Sequence, residues 1–269
     1  MRRPLLLVLL YLPAFVALGQ VRVSKLILKT GQVYTLSPSD IIVADTLIMM
    51  DSSRIVLNGL KRENYIRVGL AILGNHCVID GEGVHGKPGR HAKSHGIPEG
   101  GPCQPGLTGR NGMRGLDGGP GIDLFLYIDK IQSSGRLTII LSGGNGGTGG
   151  DGGTGGGGNP GTVHCHGGNG GPGGNGGNGG NGGNGGNLTV GGNDQIIVRS
   201  LIGNQIVVLN RGGNYGYGGI SGPGGASGRG PGRKNGKDGI HGINGHNGHI
   251  GYRGTIHFED IDKVAKAAQ

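Results

Sequence analysis

The chain has 269 residues, of which 68 are glycine, with no tryptophan and only three phenylalanines, so a large conventional core is excluded. Its formal charge is +9, and removing a leader that carries Arg2 and Arg3 leaves +9 − 2 = +7. That balance suits acidic glycans or lipid headgroups, and with no base-stacking motif beside the charge nucleic acid is not expected as a partner. Residues 1–19 read as a secretory signal: Arg2-Arg3, an apolar run from Leu5 to Leu18 interrupted by Pro13, and the small-residue site Ala17-Leu18-Gly19 before Gln20. That run is short for a membrane span and nothing later in the chain is long enough, so the mature protein is expected to be secreted or at the cell surface of a bacterium, without a transmembrane segment.

A β-rich base follows over residues 20–85. Short apolar runs such as Lys25–Lys29, Asp40–Val43, Thr46–Met50, Arg54–Leu57, Tyr65–Leu73 and Cys77–Ile79 alternate with turn signals such as Asn58-Gly59 and Gly74-Asn75. They predict strands of a small sandwich or of a few β-helix rungs. Three glycine tracts then alternate with β segments. Tract 86–121 precedes strands in 122–142, tract 143–187 precedes strands in 188–211, and tract 212–254 precedes a final strand and short tail in 255–269. Gln195–Val198 is among the strands this reading expects.

The central tract organises the rest. Glycine opens nearly every triplet from Gly143 to Gly185, and Asn169, Asn175, Asn178, Asn181, Asn184 and Asn187 form a row broken once by Pro172. A period of three predicts polyproline II helices whose glycine faces approach closely. Each tract breaks midway, at Gly100–Pro105, Gly158–His166 and Arg229–Asn235, which predicts three hairpins. The expected fold is therefore mainly β: a glycine-rich polyproline II bundle of six helices on a small sandwich or β-helix base.

Repeats such as Gly146–Thr154 resemble the polyproline bundles of the Obg N-terminal domain, the snow flea antifreeze protein and phage tip adhesins. They also resemble secreted bacterial glycine-rich proteins described as collagen-like. The resemblance implies an architecture and no activity. An Obg-type GTPase is excluded by the lack of a phosphate-binding Gly-x-x-x-x-Gly-Lys-Ser/Thr loop. True collagen is disfavoured by a count of only 12 prolines.

Little chemistry is visible. His164-Cys165-His166 is the one compact metal-like cluster, and it lacks a second ligand pair. No Ser/His/Asp or paired-carboxylate arrangement stands out, so neither catalysis nor a cofactor is expected. Cys103 and Cys165 both fall at midpoint breaks, which predicts a disulfide across two hairpin tips, with Cys77–Cys103 as the rival pairing. The cationic display that could hold a partner is Arg229, Arg233, Lys234 and Lys237, with Tyr215 and Tyr217 as stacking candidates. The expected function is an extracellular structural or adhesive protein that meets a cell surface, a glycan or copies of itself. Ice binding and carbohydrate binding are the alternatives.

Overall fold

In the computed structural model, residues 21–94, 96, 101–193 and 195–259 are described. The expected leader and the Ala/Lys tail lie outside them. Eleven strands fall into two parallel sheets. The strands are β1 (Val21–Leu28), β2 (Val33–Thr35), β3 (Ile41–Met49), β4 (Arg54–Val56), β5 (Glu63–Leu73), β6 (Cys77–Asp80), β7 (Asp123–Ser133), β8 (Leu137–Ile140), β9 (Leu188–Gly191), β10 (Ile206–Leu209) and β11 (Ile256–Glu259). The six-stranded sheet runs β1-β3-β5-β7-β9-β11 and the five-stranded sheet β10-β8-β6-β4-β2. Each chain step therefore crosses from one sheet to the other, and each pair of steps advances one strand position.

The sequence builds this by stacking like on like. In the small sheet Ile55 pairs with Ile79, Ile79 with Ile139 and Ile139 with Val208. In the large sheet Ile42 pairs with Ile66, Ile66 with Leu126 and Leu126 with Val190. These side chains are buried in one cluster shared by both sheets, apart from half-buried Val208 packed against it. Burial of this apolar area stabilises the base at about 25 cal/mol per Å². The alternation slips once, in register, along four strands: the pairing skips Ser24, Asp45, Gly69 and Asp129. At Gly69 a Cβ would lie 2.8 Å from the Asp45 carbonyl oxygen, so only glycine fits the bend.

The three glycine tracts are long versions of one connection. All steps from the small sheet to the large one leave the same side. Two are short, over residues 36–40 and 57–62, and three are the excursions 81–122, 141–187 and 210–255. Each excursion doubles back, and the strand registers show how well their lengths match. Pairing in the large sheet is offset by 60 residues (Glu63 with Asp123), then 64 (Leu124 with Leu188), then 68 (Leu188 with Ile256).

This architecture corrects the expected fold class. The structure shows two parallel sheets and not a polyproline II bundle on a small β-sandwich or β-helix base. Among the described residues the tracts carry no α-helix and no strand, only the short 3₁₀ turn Pro231–Arg233. The resemblance to polyproline and collagen-like proteins, which rested on that bundle, falls with it. The period of three meets a different demand. In the second excursion two residues per triplet donate their N–H groups: on the outgoing arm to the third and first excursions, as with Gly146 to Asn214 and Gly147 to Leu116 (both 2.8 Å), and on the returning arm to the third excursion and its own, as with Gly176 to Ile243 (2.9 Å) and Gly177 to Gly150 (2.8 Å). Both must be glycine for the backbones to come that close.

A second correction concerns Gln195–Val198, expected as strand. Gln195–Leu201 forms the helix α1 instead. Val198, Leu201 and Ile202 recur at i, i+3 and i+4, and that spacing carries all three to the core.

Candidate functional site

The three excursions lie side by side, each with an outgoing and a returning arm. Outgoing arms run parallel to one another, as do returning arms. Gly118 donates to Asn181 (2.8 Å) and Gly182 to His249 (2.8 Å). Within each excursion the arms are antiparallel: Leu116 donates to Lys87 (2.9 Å), Gly180 to Gly147 (2.8 Å) and Gly248 to Gly216 (3.0 Å). The middle excursion contacts both others, which is why it alone is almost pure Gly-Gly-X.

Many of the remaining N–H groups, one per triplet, are satisfied by side chains of the adjacent arm. The Oδ1 atoms of Asn175, Asn178, Asn181 and Asn184 accept from the N–H groups of Ile243, His246, His249 and Tyr252 at 2.8–2.9 Å. Asn169 and Asn187 extend the row to Lys237 and Thr255. On the opposite layer His85 and His91 accept through Nδ1 from the N–H groups of Asn145 (2.9 Å) and Asp151 (3.0 Å). The asparagine row is thus a structural cap, and its carboxamide oxygens are committed inward. The sequence displayed the row plainly, but only the offset of 68 residues shows what it bonds.

At the far end the expected cross-link is present: Cys103 and Cys165 form a disulfide, with Cα atoms 6.2 Å apart. It joins the first two excursions. Cys103 N–H also donates to Pro160 (2.8 Å), and buried Asn159 donates through Nδ2 to Gly101 (3.0 Å). Backbone bonds tie the third tip to the second, with Gly161 donating to Arg229 and Gly167 to Lys234, both at 2.8 Å. The rival Cys77–Cys103 pairing is absent, because Cys77 is buried in the base. Its thiol lies 3.4 Å from the Met49 and Met50 carbonyl oxygens, and burial pushes its pKa up.

The candidate residues separate into two places. Arg229, Lys234 and Lys237 are exposed at or near the third tip, beside the 3₁₀ turn Pro231–Arg233, and the side chain of Arg233 lies outside the described residues. His164 and His166 are exposed at the second tip, while Cys165 is spent in the disulfide and offers no thiolate to a metal. Among the described residues no group of three or more His, Cys, Asp or Glu could hold an ion. Tyr215 and Tyr217 sit near the root of the third excursion, edge to face with ring centres 5.3 Å apart. The structure does not bring them to the cationic tip. Tyr217 is exposed and Tyr215 half-buried.

The base carries its own aromatic surface. On the outer face of the large sheet Tyr65 stacks on Phe125 with ring centres 4.6 Å apart. Tyr65 and Tyr127 donate to Glu63 (2.7 Å) and Glu259 (2.9 Å). The Glu63 bond holds the Tyr65 phenol up at about 12, and burial does the same for Tyr127. A cleft of about 280 Å³ opens where the first excursion leaves the base, lined by Leu60, Lys61, Val84 and Pro120 among others.

Among the described residues no helix is long and apolar enough to cross a membrane. Comparison with protein-family models, curated proteins and solved structures finds no match.

Proposed function

We propose that this chain is an exported, non-catalytic structural or adhesive protein, in which hydrogen-bonded glycine arms make a stiff platform for surface display. The observation that carries this reading is the cross-linked far end. Structural disulfides persist in oxidising compartments, and the Arg2-Arg3 leader pattern points to the same destination. The arms spend their backbone polar groups on one another, so what remains outward is side chains at fixed register. Arg229, Lys234 and Lys237 crowd one tip and present positive charge there.

The test has two parts. The protein recovered outside the expressing cell should begin at Gln20, and retention of residues 1–19 on an intracellular, fully reduced chain would contradict export. Replacing Arg229–Asn235 with glycine and serine should reduce attachment to a cell surface with the circular dichroism spectrum retained. Undiminished attachment would remove the tip from the reading.

A further inference from the structure

The two outer edges of the arm array differ. At the third excursion the edge closes on itself: Ser221 and Ser227 donate their N–H groups to Asn244 and Asp238 at 2.8 and 2.7 Å, and Gly218 to Asn247 at 2.9 Å. The first excursion forms the opposite edge. Its described residues are not covered on that side by another excursion, because the connection before it, residues 57–62, is short.

That open edge is built of rungs. Leu116 N–H donates to Lys87 (2.9 Å) and Met113 N–H to Arg90 (3.0 Å). The register continues to Arg110 opposite Lys93, since Gly153 donates to Arg110 (2.8 Å) while its own Cβ position faces the Lys93 carbonyl oxygen at 2.5 Å. All six side chains are exposed, and Leu116 and Met113 keep 57 % and 59 % of their surface. Among the described residues none of the four cations takes part in an ion pair. In the middle excursion the corresponding positions are glycine, packed against neighbours on both sides. Here they are free to carry long side chains, and they set cations on one arm opposite flexible apolar groups on the other.

We infer that this edge docks on an anionic lipid surface. Three unpaired cations along the outgoing arm, with Arg110 across from the third, attract phospholipid headgroups, and Met113 and Leu116 beside them on the returning arm can enter the headgroup–acyl boundary. A soluble acidic polysaccharide would match the charge, but among the described residues this edge offers it no Tyr, Phe or Trp, and the aliphatic side chains would stay in water. The cleft at the root continues the pattern, with Leu60 91 % and Val84 80 % exposed beside Lys61. This assignment goes beyond the platform reading and does not depend on export or on the tip.

Cosedimentation with vesicles tests it, using the disulfide-intact chain. Vesicles of phosphatidylcholine and phosphatidylglycerol at 3:1 should bind it and pure phosphatidylcholine should not, with binding falling as salt rises. The K87Q/R90Q/K93Q/R110Q variant should lose about fivefold in affinity per cation removed. Met113→Ser with Leu116→Ser should weaken binding at unchanged charge. Three results would overturn the proposal: full binding by the quadruple variant, undiminished binding by the Met113→Ser and Leu116→Ser variant, or binding to heparin with none to the charged vesicles.

Discussion

At the residue scale the weight falls on glycines whose missing Cβ is a contact. A Cβ at Gly177 would collide with the Met113 carbonyl oxygen, and the surrounding backbone is fixed by hydrogen bonds on several sides. Gly177→Ala should therefore cost about 2–3 kcal/mol in denaturant unfolding, the upper part of the usual overpacking range. Gly101→Ala is the control: nothing lies within 4 Å of its Cβ position, and the change should be near neutral. Asn178→Ala removes the acceptor for His246 N–H at an exposed site and should cost about 0.5–1.5 kcal/mol. The triplet pattern made these glycines visible in the sequence. Which carbonyl each one faces was not, because that follows from registers of 60–69 residues set by strand pairing in the base.

At the element scale the disulfide does what the core does for the base. The arms bury few large apolar groups, while glycine loses much chain entropy on ordering. The Cys103–Cys165 bridge spans 62 residues, and in the chain-entropy model such a closure is worth about 4 kcal/mol. Reduction should lower the thermal midpoint clearly, and Cys103→Ser should reproduce the loss without added reductant. An unchanged midpoint would show that the arms hold without it. Cys77 should stay unreactive towards a thiol reagent until the base unfolds, since it is buried with a raised pKa. The pairing was legible beforehand because both cysteines fall at midpoint breaks of tracts leaving one side of the base. The polyproline assignment failed for a related reason. Period three is the mark of any array that needs glycine at two of three positions, and it does not by itself specify the backbone. Gln195–Val198 misled differently: four residues are too few to separate the strand and helix periods, and Leu201 and Ile202 complete the helical one.

At the scale of the whole molecule, strand alternation between two sheets fixes everything above the base. Parallel pairing with a constant advance sends every long connection out on one side, and matched lengths keep the tips level enough for Cys103 to meet Cys165. The outer sheet face gives this frame a pH limit. Tyr65 and Tyr127 titrate near 12 in the folded chain against 10 when unfolded, so the folded form holds its phenolic protons longer. Their stabilising contribution is complete below pH 10 and is lost as pH rises towards 12. Tyr127→Phe should flatten that alkaline fall, whereas an identical pH profile in the variant would place its cause elsewhere. Sequence reasoning located the cationic tip but passed over Lys87, Arg90 and Lys93. Their signal was present, since each follows the first residue of its triplet, but its meaning depends on which excursion lies at the open edge.

Backbone hydrogen bonds between arms order the glycine tracts, and amide hydrogen exchange resolved by residue reads those bonds one by one. Gly146, Gly147, Gly176, Gly177 and Gly180, whose N–H groups all donate at 2.8–2.9 Å, should exchange orders of magnitude more slowly than an unstructured chain. Exchange of these amides at random-coil rates, with the strands of the base still protected, would contradict it.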